Sequence, residues 1–223
     1  MIRAALIDLD GTLLDTAPDL AAAVNAMLAE LGLSALPAAT VREFIGSGIV
    51  RLVERSLQAA GLSLPCAQLE RALRSFGAHY RRLNGSSSAP YPGVVEGLER
   101  MRARGLRLAC VTNKAAAFTA PLLDKSGLAP FFDAVVTADQ AGARKPDPAA
   151  FLYACHLLGI SPEQSAVIGD SANDAVAARA AGCRVLLVSY GYSEGRDVRA
   201  LDSDGLAASF PEAVELALRA APA

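Results

Sequence analysis

Beyond residue 93 the chain alternates short apolar runs with helical spacing, and that alternation narrows its fold more than any other feature. The runs Leu106–Val111, Ala134–Thr137, Ala166–Ile168 and Arg184–Val188 are too short for helices and are rich in β-branched and aliphatic residues. Helical patterns lie between them near Val94–Arg104, Ala116–Ser126, Pro148–Leu158 and Asn173–Ala181. Strands that are apolar on both faces and separated by helices predict a parallel α/β sheet with helices covering both faces. The run Ala4–Ile7 adds a strand at the N-terminus.

Between that first strand and the alternating region, only helical patterns appear. One spans Pro18 to Leu31 and stops at Gly32. Another opens after Gly46-Ser47-Gly48, with Ile49, Leu52, Val53, Leu57 and Ala60 on one stripe, and a third covers Pro65 to Leu83. Gly85–Gly93 has the composition of a linker or hinge. The expected organisation is a core of residues 1–15 and 89–223 interrupted by a small α-helical insert, 16–88. A chain of 223 residues with 52% hydrophobic content can bury such a core. Its net charge of −2, without any Lys/Arg block, argues against nucleic-acid or membrane partners. Cys66, Cys110, Cys155 and Cys183 are scattered and form no metal or redox motif, which fits a reducing compartment. Asp8 and Asp10 interrupt the initial apolar stretch too early for a secretory signal, and no apolar run reaches membrane-spanning length. A soluble cytoplasmic protein, monomeric or homodimeric, is expected.

Open α/β sheets bind ligands at the carboxyl ends of their strands. Here those ends carry Asp8-Leu9-Asp10-Gly11-Thr12, Thr112-Asn113-Lys114, Lys145-Pro146-Asp147-Pro148 and Gly169-Asp170-Ser171-Ala172-Asn173-Asp174. Each has a bland alternative. Asp10-Gly11 suits a hairpin turn, Thr112 and Asn113 suit a helix N-cap, Lys145 a solvated loop, and Asp170 and Asp174 the first turn of a helix. Their convergence on one sheet edge favours chemistry instead. Two carboxylates at the end of a buried strand are costly unless a cation and a phosphate lie between them. Asp8 is the candidate nucleophile and Asp10 the candidate acid and base. Thr112, Asn113 and Lys145 would hold a phosphate. Asp8, Asp10 (through its carbonyl), Asp170 and a supporting Asp174 would hold Mg²⁺, which favours a few carboxylates plus water and phosphate oxygen. His79 and His156 have no companions at ligand spacing, and Tyr190–Gly195 is expected as a mobile loop at the site's mouth.

These motifs, in this order across nearly the whole chain, resemble those of the haloacid dehalogenase-type phosphatases. The helical insert resembles the cap of members whose cap lies between the first two motifs. Phe44–Gly48, Val111–Lys114 and Tyr190–Tyr192 look most like the bacterial phosphoglycolate phosphatases. The resemblance implies a Rossmann-like core, Mg²⁺, an aspartyl-phosphate intermediate and a small phosphate monoester as substrate. Asp10 argues against dehalogenation, whose catalysts lack that acid. A sugar phosphomutase and a phospho-receiver-like domain share the acidic pocket, although receivers lack the helical insert. For a substrate as small as phosphoglycolate the carboxylate is the only handle beyond the phosphate. Gly46, Ser47, Gly48, Arg51 and Lys114 are the candidates to read it, with Arg51 one turn into its helix.

Overall fold

The computed structural model describes residues 1–62 and 66–219. The chain runs through β1 (Ala4–Ile7) and β2 (Leu14–Asp15) into helices α1 (Ala17–Glu30), α2 (Ala38–Arg42), α3 (Ile49–Ala59) and α4 (Cys66–Leu83). It returns through β3 (Ala89–Pro90) to α5 (Val94–Ala103), β4 (Arg107–Thr112), α6 (Ala116–Lys125), β5 (Ala134–Thr137) and α7 (Ala138–Ala141). Then follow α8 (Ala149–Leu158), β6 (Ser165–Gly169), α9 (Ala172–Ala181), β7 (Arg184–Val188), β8 (Gly205–Ala207) and α10 (Phe210–Arg219). The start expected at Pro65 for the third insert helix lies outside the described residues.

Six strands form a parallel sheet in the order β5-β4-β1-β6-β7-β8. Side chains alternate across β1: Ala5 and Ile7 pack with α5 and α10, through Leu98, Met101, Phe210 and Val214. Ala4 and Leu6 face α8 and α9, through Phe151, Ala154, Ala175 and Ala178. Every residue of β1 is therefore buried, which is why its sequence lacks polar alternation. The order reverses around β1, with β4 on one side and β6 on the other, so their carboxyl ends form a crevice at the switch point.

The helices α1–α4 have an apolar cluster of their own, built on Leu20, Val24, Met27, Leu52, Leu57, Phe76 and Tyr80. Leaving and returning strands pair there, Leu14 with Pro90 and Asp15 with Ala89, antiparallel. Asp19, in the first turn of α1, accepts the backbone N–H groups of Gly85, Ser86, Ser87 and Ser88 at 2.8–3.1 Å and the Ser88 hydroxyl at 2.6 Å. The stretch with linker composition is thus fastened to α1 by one buried carboxylate. The expectations omitted β2, β3, β8 and the helices α2, α7 and α10. The strands are two or three residues long, below the length at which period-two patterning shows. Among the described residues no helix is long and apolar enough to cross a membrane.

Candidate active site

Strand β1 delivers Asp8 into the crevice, its N–H bonded to Ile168 O at 2.9 Å. The chain then turns at Gly11, with φ +87°, where a Cβ would stand 2.2 Å from Asp170 Oδ2. Only glycine allows both the left-handed backbone and that approach. One carboxylate oxygen from each of Asp8, Asp170 and Asp174 falls within a 4.8 Å group. Lys145 Nζ donates to Asp8 Oδ1 (2.6 Å), Asp174 Oδ1 (2.7 Å) and Val111 O (2.9 Å), which uses all three of its protons. Asp174 Oδ2 accepts from the Ser171 N–H and hydroxyl, closing a capping box on α9. The helix-cap reading and the site reading of Asp174 are therefore both true of one residue.

Asp10 stands apart from that triad. Its carboxylate accepts from Lys114 Nζ at 2.9 and 3.0 Å and from the Thr16 hydroxyl at 2.7 Å. Thr112 Oγ1 accepts the Lys114 N–H at 3.1 Å, leaving its own proton free to donate. The Asn113 amide does something other than the phosphate contact expected of it. Its Oδ1 accepts the Lys145 N–H (2.8 Å), and its Nδ2 donates to Lys145 O (2.9 Å) and Gly46 O (3.1 Å). Both ends of the side chain are spent holding the lysine loop and the insert in place.

Four carboxylates (Asp8, Asp10, Asp170, Asp174) face two ammonium groups (Lys114, Lys145), so with all four ionised two negative charges would go uncompensated in the crevice. Burial pushes the Asp8 carboxyl up to about 7 against the pull of Lys145. Burial, then the neighbouring Asp174 and Asp8, raise Asp170 well above its ordinary value. Burial lowers Lys145, but Asp174 and Asp8 outweigh it and hold the ammonium above its ordinary value. A single divalent cation would cancel the deficit, and hard carboxylate oxygens are the donors that Mg²⁺ takes, so the residues fit that ion.

The crevice is closed by the insert. A cavity of about 40 Å³ lies between Asp8, Asp10, Thr112, Asn113 and Lys114 of the sheet and Leu20, Ile45, Gly46, Gly48, Ile49 and Leu52. Arg51 is not on this wall. Its side chain is 70% exposed and pairs with Glu54 one turn on, so the expected carboxylate reader points to solvent. Ser47 also turns away, its hydroxyl donating to Glu194, which accepts from Asn173 Nδ2 at 3.3 Å as well. Lys114 lines the cavity, but its ammonium is occupied by Asp10. The loop at Tyr190–Tyr192, expected to be mobile, is pinned: Arg42 donates to Tyr190 O and Gly191 O, and Tyr192 is buried. Sequence reasoning gave no role to Thr16, Asp19 or Arg42, and it placed Tyr192 and Glu194 only within a loop at the site's mouth. Tyr192 and Glu194 work through contacts with residues 147–177 positions away, which leave no local signal.

The model of the haloacid dehalogenase-like hydrolases matches residues 2–182. A phosphoglycolate phosphatase of Nitrosospira multiformis is 51% identical over 216 residues, 96% of this chain and 95% of that protein. One from Thiobacillus denitrificans is 46% identical over 98% of this chain and 97% of its own length. Among solved structures, a predicted phosphoglycolate phosphatase from Haemophilus somnus superposes with a TM-score of 0.91 at 32% identity, covering 96% of this chain and 97% of that one.

Proposed function

The chain belongs to the haloacid dehalogenase-like hydrolase family and is a phosphatase, and from that premise we propose that it cleaves 2-phosphoglycolate to glycolate and phosphate, with Mg²⁺, through an aspartyl-phosphate on Asp8. The observation that carries the reading is the Asp8 carboxylate at the cavity wall, flanked by Lys145 and by the carboxylates of Asp170 and Asp174. We take residues 1–15 and 89–223 as the catalytic core and 16–88 as its cap, a division supported by the β2–β3 pairing where the chain crosses twice.

An Asp8 oxygen attacks phosphorus, and the bond to the ester oxygen breaks. Asp10 gives that oxygen its proton, then takes one from the water that attacks the phospho-aspartate, releasing phosphate and restoring Asp8. Thr112 donates its hydroxyl to a phosphate oxygen, and Lys145 holds Asp8 in line. Asp8, Asp170 and the Asp10 carbonyl, with Asp174 behind them, would hold Mg²⁺, which supplies positive charge against the phosphate oxygens. Lys114 and Thr16 both donate to Asp10.

The lining of the cavity supports this substrate class. The cavity is small, its cap walls are apolar apart from backbone, and Lys114 is the only cation lining it among the described residues. A substrate carboxylate that draws Lys114 Nζ away from Asp10 leaves Asp10 free to take up the proton needed in the first step. Hydrolysis of 2-phosphoglycolate should therefore exceed that of a neutral ester of equal size. Acid quench with ³²P-labelled substrate should leave label on wild-type protein and none on Asp8→Asn. Equal rates on both esters would remove the carboxylate preference, and unlabelled wild type would remove the covalent step.

A further inference from the structure

We propose that Tyr192 is a positioning residue that ties the orientation of the cap to the geometry of the carboxylate of Asp170. The proposal rests on the reading of Asp8, Asp170 and Asp174 as the Mg²⁺ site. It starts from the first turn of α1, whose N–H groups have no partner within the helix and need an outside acceptor. The usual donor of that acceptor is the residue before the helix, here Thr16. But the Thr16 hydroxyl is committed to Asp10 Oδ1 at 2.7 Å and caps nothing. The phenol of Tyr192 does it instead, from the loop after β7. Its oxygen accepts from Thr16 N–H at 2.6 Å and Ala17 N–H at 2.9 Å, and its proton goes to Asp15 Oδ1 at 2.9 Å. One donor and two lone pairs are the full capacity of a phenol.

The same residue's backbone N–H donates to Asp170 Oδ2 at 2.6 Å. Between these two ends lies a stiff ring with only two rotatable bonds. It is 5% exposed, packed into the cap's apolar cluster and covered by the Arg42 guanidinium 4.7 Å from its centroid. Arg42 also grips the carbonyls of Tyr190 and Gly191. At Gly191 a Cβ would come within 2.2 Å of Asp170 Cβ, so the loop lies directly on the carboxylate it bonds. Asp15 and Thr16 are where the chain leaves the core for the cap. A cap movement that draws α1 off the phenol therefore pulls on the loop that orients Asp170. By reciprocity, an ion that orders Asp170 steadies the cap, before any substrate arrives.

The test is calorimetric titration of Mg²⁺ into the full chain without substrate, alongside thermal melting. Tyr192→Phe keeps the ring and the N–H to Asp170 but loses the phenol. It should weaken Mg²⁺ binding by roughly three- to tenfold, the worth of the hydrogen bonds removed. Arg42→Met, which releases the loop carbonyls and leaves the phenol intact, should shift affinity in the same direction. Leu57→Ala, in the cap cluster and away from the junction, should lower the melting temperature without changing Mg²⁺ affinity. Hydrogen exchange at Thr16 and Ala17 should slow on adding Mg²⁺ to wild type and respond less in Tyr192→Phe. Wild-type affinity in Tyr192→Phe overturns the proposal, as does equal weakening in Leu57→Ala, which would make affinity a mere echo of stability. If wild type binds no Mg²⁺ that Asp170→Asn abolishes, the metal-site reading itself fails and takes the proposal with it.

Discussion

Asp8, the proposed nucleophile, concentrates the conflict of the site in one side chain: to attack it must be ionised, yet burial lifts its carboxyl to about 7. A folded-state pKa above the unfolded value means the folded protein binds protons that the unfolded chain has released. Stability from this group is complete below the unfolded value of 3.8 and is lost as pH rises through about 7. Asp170 is shifted in the same direction by burial. In chelator, the urea midpoint should therefore fall between about pH 5 and about pH 8, and Mg²⁺ should restore it at the upper end. Calorimetry at about pH 6 in buffers of different ionisation enthalpy should show protons released as Mg²⁺ binds. Flat midpoints and no proton release would contradict these shifts. Asp8→Asn should fold, by circular dichroism, yet lose several powers of ten in turnover, because an amide does not attack phosphorus. Arg51→Ala should change kcat/KM for 2-phosphoglycolate by less than about twofold, since an exposed pair with Glu54 contributes little. A loss of about tenfold would return Arg51 to the substrate.

The elements divide between those that carry the site and those that hold it closed. β1, β4 and β6 are legible in the sequence because each is a short apolar run ending in polar residues, and burial on both faces requires that composition. The junction between core and cap is not legible in that way. Asp19 looks like an ordinary first-turn acid of α1, favoured by the helix dipole. Its partners are four backbone N–H groups of residues 85–88, brought to it only by the return of α4. Asp19→Ala would remove the one buried acceptor that gathers those half-exposed donors at the junction. Urea denaturation should show a loss of roughly 2–4 kcal/mol, more than a surface carboxylate removal gives. A change within about 0.5 kcal/mol would mean that solvent replaces the carboxylate freely.

At the scale of the molecule, the helical insert meets the rest of the chain at a latch as well as at the Tyr192 junction. Glu194, at φ +52°, reaches from the loop after β7 to the Ser47 hydroxyl, while Asn173 Nδ2 donates to Glu194 and, at 3.4 Å, to Ser47. Ser47 thus closes the cap without touching the cavity. Ser47→Ala and Glu194→Gln should each lower kcat/KM by roughly three- to tenfold, and the double variant should lose little more than either single one. Full additivity in that cycle would show that the two residues act separately.

What the sequence determined by itself was five of the sheet's six strands, the helical insert and the identity of the acids and lysines at the strand ends. Those follow from local rules, the period of apolar residues and the polarity where a strand meets its loop. Tertiary structure decided which of these groups touch. It gave Lys114 to Asp10 and Lys145 to Asp8 and Asp174, engaged the Asn113 amide in holding a loop, and turned Arg51 to solvent. It made Tyr192 a helix cap for a segment some 175 residues away. Hydrogen bonds and ion pairs form over about 3 Å between groups at any separation along the chain. A local pattern can therefore place a side chain at the end of a strand, and only the packed fold selects its partner.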